Sequence, residues 1–256
     1  MLVFMILSLI LSSVSGNIAT AAGGCGWYVK RNSDHRQPEL DPAFSYIEKY
    51  EAYYLDKRCA DEGAEAILYL TFDAGYENGN IAKILDTLKE QQVPAAFFIL
   101  DHLIKANGDL VERMAAEGHL VCNHSLRHRD MSAIEDREAF RYELEELERL
   151  YHEKTGRTMA KYYRPPEGRF NERSLSFANE LGYKTVFWSF AYADWDNKRQ
   201  PSAGDAIKKI LDNTHPGAVI LLHPTSATNA EILPTLIERW REMGYRFGTL
   251  DELCSG

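Results

Sequence analysis

Between residues 66 and 250 short apolar runs alternate with longer amphipathic stretches, and this alternation constrains the fold more than any other feature of the chain. The apolar runs are "AILYLTF" (66–72), "AAFFIL" (95–100), "HLVCNHS" (119–125), "KYYRPP" (161–166), "KTVFWSF" (184–190), "AVILLH" (218–223) and "YRFGTL" (245–250). They have strand length and are rich in β-branched and aromatic residues. Between them, "IAKILDTLKEQQ" sets Ile81, Ile84, Leu85 and Leu88 on one helical face, and "AFRYELEELERLYHEKTG" does the same with Phe140, Leu144, Leu147 and Tyr151. Gly118, Gly156, Gly182 and Gly244 each stand where a helix should stop before the next apolar run. Seven strands separated by helices predict an α/β chain with a parallel sheet and helical crossovers. The number of units suits a distorted (β/α) barrel; an open doubly wound sheet is the alternative. No G-x-G-x-x-G follows the first strand, so the usual signal of a dinucleotide site is missing.

Residues 1–22, with the apolar run Leu2–Ile10 and small residues up to Ala22, predict an export signal or N-terminal anchor, hence an exported, wall-associated or membrane-associated protein. Residues 23–63 are an aromatic-rich extension expected to pack on the barrel, and 64–256 form the barrel domain. Trp27, Tyr28, Tyr53 and Tyr54 are expected to pack against the barrel more than to stack on sugars. Export permits disulfides among Cys25, Cys59 and Cys254, with the pairing left open, while Cys122 lies in a strand and reads as a buried thiol. With 29 Lys and Arg against 38 Asp and Glu, the net charge of −9 argues against a nucleic-acid partner. No protein partner is evident.

Polar residues stand at the ends of successive strands. Asp73 ends the first, His124 the third with His128 four residues on, Arg164 the fourth and His223 the sixth, while Asp194 and Trp195 follow the fifth. In a barrel the C-terminal strand ends converge on one face, so five segments aim titratable groups at one place. Singly these residues say little. Asp73 could be a turn residue, Arg164 a loop brace and His223 a satisfied core histidine. The His-x-x-x-His spacing would put two imidazoles on one side of a helical turn, a pattern that binds zinc-like metals.

The ordered motifs "TFDAG", "HSLRH", "RPPEG", "ADW" and "LLH" resemble those of the polysaccharide deacetylases, carbohydrate esterase family 4, over about residues 65–253. The longer stretches "TFDAGYENG", "RPPEGRF" and "VFWSFAYADW" look most like the sub-branch that de-N-acetylates N-acetylmuramic acid on the route to the muramic δ-lactam of spore cortex. The resemblance implies that Asp73 is the general base, His223 the general acid, Arg164 the partner that keeps Asp73 ionised and Asp194 the group that tunes His223. His124 and His128 would hold a divalent metal, zinc first. Trp195 and Leu221 would wall the acetyl pocket, the Glu167 amide would steady the oxyanion, and Pro166 and Tyr76 would contact substrate. The partner implied is a peptidoglycan glycan strand.

One position departs from the pattern. The family's second motif aspartate, normally a metal ligand, is Ala74 here. The expectation is a weak, exchangeable metal site, with Asn78 or Asn123 as possible oxygen donors. Three readings stand: a muramic acid de-N-acetylase; a deacetylase of N-acetylglucosamine units in peptidoglycan or chitooligosaccharides; and a non-catalytic glycan-binding domain with a degraded metal site. Retention of Asp73, Arg164, Asp194 and His223 favours catalysis, because a binding module needs neither acid nor base.

Overall fold

A computed structural model describes residues 24–255. The export segment expected at residues 1–22 lies outside the described residues. In chain order the strands are β1 (Cys25–Gly26), β2 (Ala52–Tyr53), β3 (Ile67–Ala74), β4 (Ala96–Ile99), β5 (Leu120–Asn123), β6 (Ala160–Tyr163), β7 (Arg169–Phe170), β8 (Lys184–Val186), β9 (Ala218–Leu222) and β10 (Arg246–Phe247). The helices are α1 (Ile81–Glu90), α2 (Asp101–Ala116), α3 (Arg137–Thr155), α4 (Glu172–Glu180), α5 (Ala203–Asp212), α6 (Ala227–Glu242) and α7 (Leu250–Leu253).

All seven apolar runs form strands of one parallel sheet, ordered β10-β3-β4-β5-β6-β8-β2, with β9 on the other side of β3. Beyond β8 the chain reaches across to β9. Phe190 bridges Ile220, Ser189 N donates to Val219 O and Leu221 N donates to Phe190 O. These bonds bring the sheet round to meet itself, which makes it a barrel and excludes the open alternative. The two faces of β3 show the alternation directly. Leu68, Leu70, Phe72 and Ala74 join the core beneath the helices, with Ile84, Leu85, Leu236 and Trp240. Ile67 and Tyr69 join Phe98, Cys122 and Val219 inside the barrel, where α7 supplies Leu250 and Leu253 as a plug. The helices stop where the sequence indicates: Gly118, Gly156, Gly182 and Gly244 all have positive φ, a region in which glycine meets no Cβ penalty.

The N-terminal extension does more than lie on the surface. Its strand β2 pairs in parallel with β8, an eighth strand that the sequence reading did not contain. Trp27 stacks on Phe187 with ring centroids 4.4 Å apart and packs with Phe44, Tyr54 and Phe170 in a cluster of its own. Among the described residues no disulfide forms. Cys59, Cys122 and Cys254 are buried free thiols and Cys25 is an exposed one. Cys59 lies in the short 3-10 turn Lys57–Ala60 and Cys254 just after α7. Both pack into the barrel interior with Cys122, and burial pushes the Cys254 thiol up to about 12.

Candidate active site

A cleft of about 650 Å³ opens at the C-terminal ends of the strands, lined in part by Asp73, Tyr76, His124, His128, Glu167, Trp195, Leu221 and His223. The strand ends therefore do bring these residues together.

Asp73 is the penultimate residue of β3 and points inward. Arg164, fully buried just after β6, donates from Nη1 to Asp73 Oδ1 at 2.8 Å. The rest of the guanidinium is fixed by Val186 O, Phe187 O and Thr71 Oγ1, and its Cζ lies 4.1 Å from the Phe98 ring centroid. A planar cation with several donors suits such a socket better than a lysine would. Burial raises the Asp73 carboxyl. The charges of Arg164, His124 and His223 outweigh this and hold its pKa below the ordinary carboxylate value. Asp73 is thus ionised at neutral pH and available as a base.

Across the cleft stands His223, just after β9. Its Nδ1 lies 2.7 Å from Asp194 Oδ1, and its backbone N–H donates to Asp194 Oδ2 at 2.8 Å. Burial pulls the imidazole pKa down; the hydrogen bond to Asp194, with the charges of Asp194 and Asp73, more than reverses this, and the net shift is upward. With Nδ1–H held by the carboxylate, Nε2 is the nitrogen available to the cleft.

One residue of this machinery escaped sequence reasoning. Asn229, fully buried in the first turn of α6, donates from Nδ2 to Asp194 Oδ2 at 2.6 Å and to His223 O at 3.1 Å. Tyr192 OH donates to its side-chain oxygen. Asp194 therefore has a donor for each of its buried oxygens. The only local sequence sign is an asparagine three residues after the capping Ser226, which many helices share.

The His pair is arranged differently from the helical turn expected. Residues 124–130 are irregular, and Ser125 and His128 both have positive φ, at 69° and 54°. The loop still brings the two rings to a centroid distance of 5.1 Å. His124 Nδ1 is engaged by Arg164 O at 2.8 Å, so Nε2 carries the lone pair. Burial lowers the His124 pKa to about 4. At neutral pH a bare nitrogen acceptor therefore lies 3.5 Å from Asp73 Oδ2, itself an acceptor. Two facing acceptors in a buried site need a donor or a cation between them. This donor set fits a divalent ion held by His124 and His128. Among the described residues no group of three or more His, Cys, Asp or Glu is placed to hold a metal. Ala74 is fully buried on the helix-facing side of β3, within the apolar core. Neither suggested asparagine is among the residues that line the cleft. The Asn123 amide oxygen accepts from Ser125 N and that of Asn78 from Asn80 Nδ2.

The remaining expected contacts divide. Tyr76 and Trp195 are exposed on the cleft rim, Leu221 is buried in its wall, and Glu167 reaches it from a turn where its own φ is +55°. Arg164 and Asp194 lie beneath the lining and act through their partners. Pro166 is buried and absent from the walls; it belongs to the turn that brings Glu167 forward.

A barrel whose strand ends hold an ionised carboxylate opposite a proton-bearing imidazole defines an acid–base hydrolase. The sequence profile of the family described as polysaccharide deacetylase matches residues 60–186. The peptidoglycan-N-acetylmuramic acid deacetylase PdaA of Bacillus subtilis is 39% identical over 89% of this chain and 84% of its own length. A structure of that protein, described as a family 4 carbohydrate esterase, superposes with a TM-score of 0.85 at 37% identity, covering 91% of this chain and 97% of the other. A peptidoglycan-N-acetylglucosamine deacetylase of Bacillus cereus is 32% identical over 82% of this chain and 74% of its own. The chain belongs to the polysaccharide deacetylase family, hydrolases of amide bonds on acetylated amino sugars.

Proposed function

We propose that the protein removes the acetyl group from N-acetylmuramic acid in exported peptidoglycan, the step that precedes lactam closure. The carrying observation is the pairing of Asp73–Arg164 with His223–Asp194 across one cleft, in a chain 39% identical to a muramic acid deacetylase. Asp73 takes a proton from a water molecule as its oxygen attacks the acetamide carbonyl carbon. His223 delivers a proton from Nε2 to the amine nitrogen as the carbon–nitrogen bond breaks, and acetate leaves. Positioned groups of this kind each contribute roughly 10²- to 10⁴-fold. The Glu167 amide and the Leu221 and Trp195 walls orient the acetamide. A divalent ion on His124 and His128, zinc by ligand type, would polarise the carbonyl when bound. The open coordination shell supports an exchangeable ion. The apolar, small-residue segment at the N-terminus supports export to the wall.

The test is to incubate the protein with glycan strands, with and without stem peptides, and measure released acetate. The amino sugar bearing the free amine is then identified. Free muramic acid is the expected product, and chelator is expected to lower the rate. Release from N-acetylglucosamine alone would replace this reading with the glucosamine deacetylase one. Binding without release would point to a glycan-binding domain.

A further inference from the structure

The cleft that receives the sugar has no arginine or lysine on its walls, and its one acid-form imidazole, His223, is tied to Asp194. Its lining contains the carboxylates of Asp73 and Glu167 but no Lys or Arg, and Arg164 is buried beneath and committed to Asp73. A muramic acid whose stem peptide has been removed bears a free carboxylate on its lactyl ether. Brought into that cleft, the carboxylate would find no free guanidinium or ammonium on the walls, because Arg164 is committed to Asp73 and Arg169 to Glu167.

A cation waits at the edge. The N-terminal extension leads Arg31 onto the rim, where Nη1 donates to Ala191 O at 3.2 Å and the guanidinium sits 5.8 Å from the Phe190 ring centroid. Ala191 itself lines the cleft. Arg31 has no carboxylate partner among the described residues; its one hydrogen bond leaves the other donors of the fork free. Behind it a second depression, of about 420 Å³, is lined by Lys30, Arg31 and Arg36 together with Asp34, Glu39 and Asp41. Asp41 is already engaged by the Tyr28 hydroxyl and the Ala43 amide. In formal charge the three cations and three carboxylates cancel, but none of the carboxylates bonds to Arg31, whose fork turns instead to Ala191 O on the cleft wall.

We infer that Arg31 forms a carboxylate subsite at the cleft rim and sets the preference for glycan strands that carry a carboxylate next to the reacting acetamide. The inference rests on the muramic acid reading above. The ligand chemistry is a carboxylate on the strand, from the lactyl group of a peptide-free muramic acid or from a stem peptide. A planar guanidinium matches such a group through two parallel hydrogen bonds.

The experiment compares the protein with its Arg31→Gln and Arg31→Lys variants on three strands: peptide-free, peptide-free with the lactyl carboxyl converted to a methylamide, and peptide-bearing. The readout is the ratio of kcat/KM between charged and amidated strands, with strand binding to an Asp73→Asn background measured in parallel. Arg31→Gln is expected to lower the ratio about tenfold, chiefly through KM, and Arg31→Lys to retain part of it. A ratio lost on peptide-free strands assigns the lactyl carboxylate; one lost only on peptide-bearing strands assigns the stem. An equal loss on charged and amidated strands, or none, overturns the subsite. The sugar deacetylated by the unaltered protein tests the muramic acid reading separately. Were it N-acetylglucosamine, the binding ratio in the Asp73→Asn background would still decide whether Arg31 holds a neighbouring carboxylate.

Discussion

The two groups proposed as base and acid, Asp73 and His223, are anchored by opposite means. Asp73 is steadied by a cation, Arg164, locked inside the barrel by bonds to β3 and to β8 with its extension. His223 is steadied by an anion, Asp194, in the segment after β8 and held from behind by a helix residue, Asn229. One half pushes a carboxyl pKa down and the other pushes an imidazole pKa up, so both groups are in their working protonation states at one pH. The difference lies in what else each anchor supports. Arg164 is part of the barrel's interior; Asp194 and Asn229 serve the histidine and the loop around it.

That contrast can be broken experimentally, beginning with the largest effect. Arg164→Met should strip the buried Asp73 of its partner and destabilise the fold by about 3–5 kcal/mol, read by denaturant unfolding, as well as abolish acetate release. Asp73→Asn leaves Arg164 its bonds to Thr71, Val186 and Phe187, so it should cost less stability than Arg164→Met while cutting kcat by roughly 10²- to 10⁴-fold. If Arg164→Met unfolds no more readily than Asp73→Asn, the division between the halves is wrong. Asn229→Leu leaves Asp194 Oδ2 short of one donor and should lower kcat by about tenfold or more with little change in KM. A loss confined to thermal stability would reduce Asn229 to a packing role.

The smallest effect is one of pH. The proposed mechanism uses the acid form of His223, whose pKa is raised, so activity should fall as pH rises through that elevated value. Asp194→Asn removes the main raising influence and should move that alkaline limb to lower pH. The acid limb belongs to Asp73, whose lowered pKa places it below the ordinary carboxylate range, and it should stay where it is. An alkaline limb that does not move in Asp194→Asn would mean that another group supplies the proton.

The strands and strand-end residues were legible because periodicity and chain order carry them: a run such as "AVILLH" states both its burial and the residue it delivers to the rim. What escaped was set by tertiary contact. Strand β2 is two residues long, too short for any alternation, and exists because β8 offers an edge. The His124–His128 loop was expected to be helical on spacing alone, whereas left-handed backbone at Ser125 and His128 leaves no trace in composition. Asn229 gained its role from a carboxylate 35 positions earlier in the chain. Ala74 was legible as a missing ligand but not as a core residue, because its side depends on where β3 ends.

The socket around Arg164 has a consequence for how this protein can change over generations. A substitution on the acid side, at Asp194 or Asn229, is expected to remove chemistry at a smaller cost to the fold, so a lineage could shed catalysis there and keep a sugar-shaped groove. The base side offers no such exit through its arginine, since a chain that loses Arg164 loses part of its architecture with its activity. Descendants that drift towards mere recognition of glycans should therefore carry their first lesions around His223 and retain Arg164 long after the need for a base has gone.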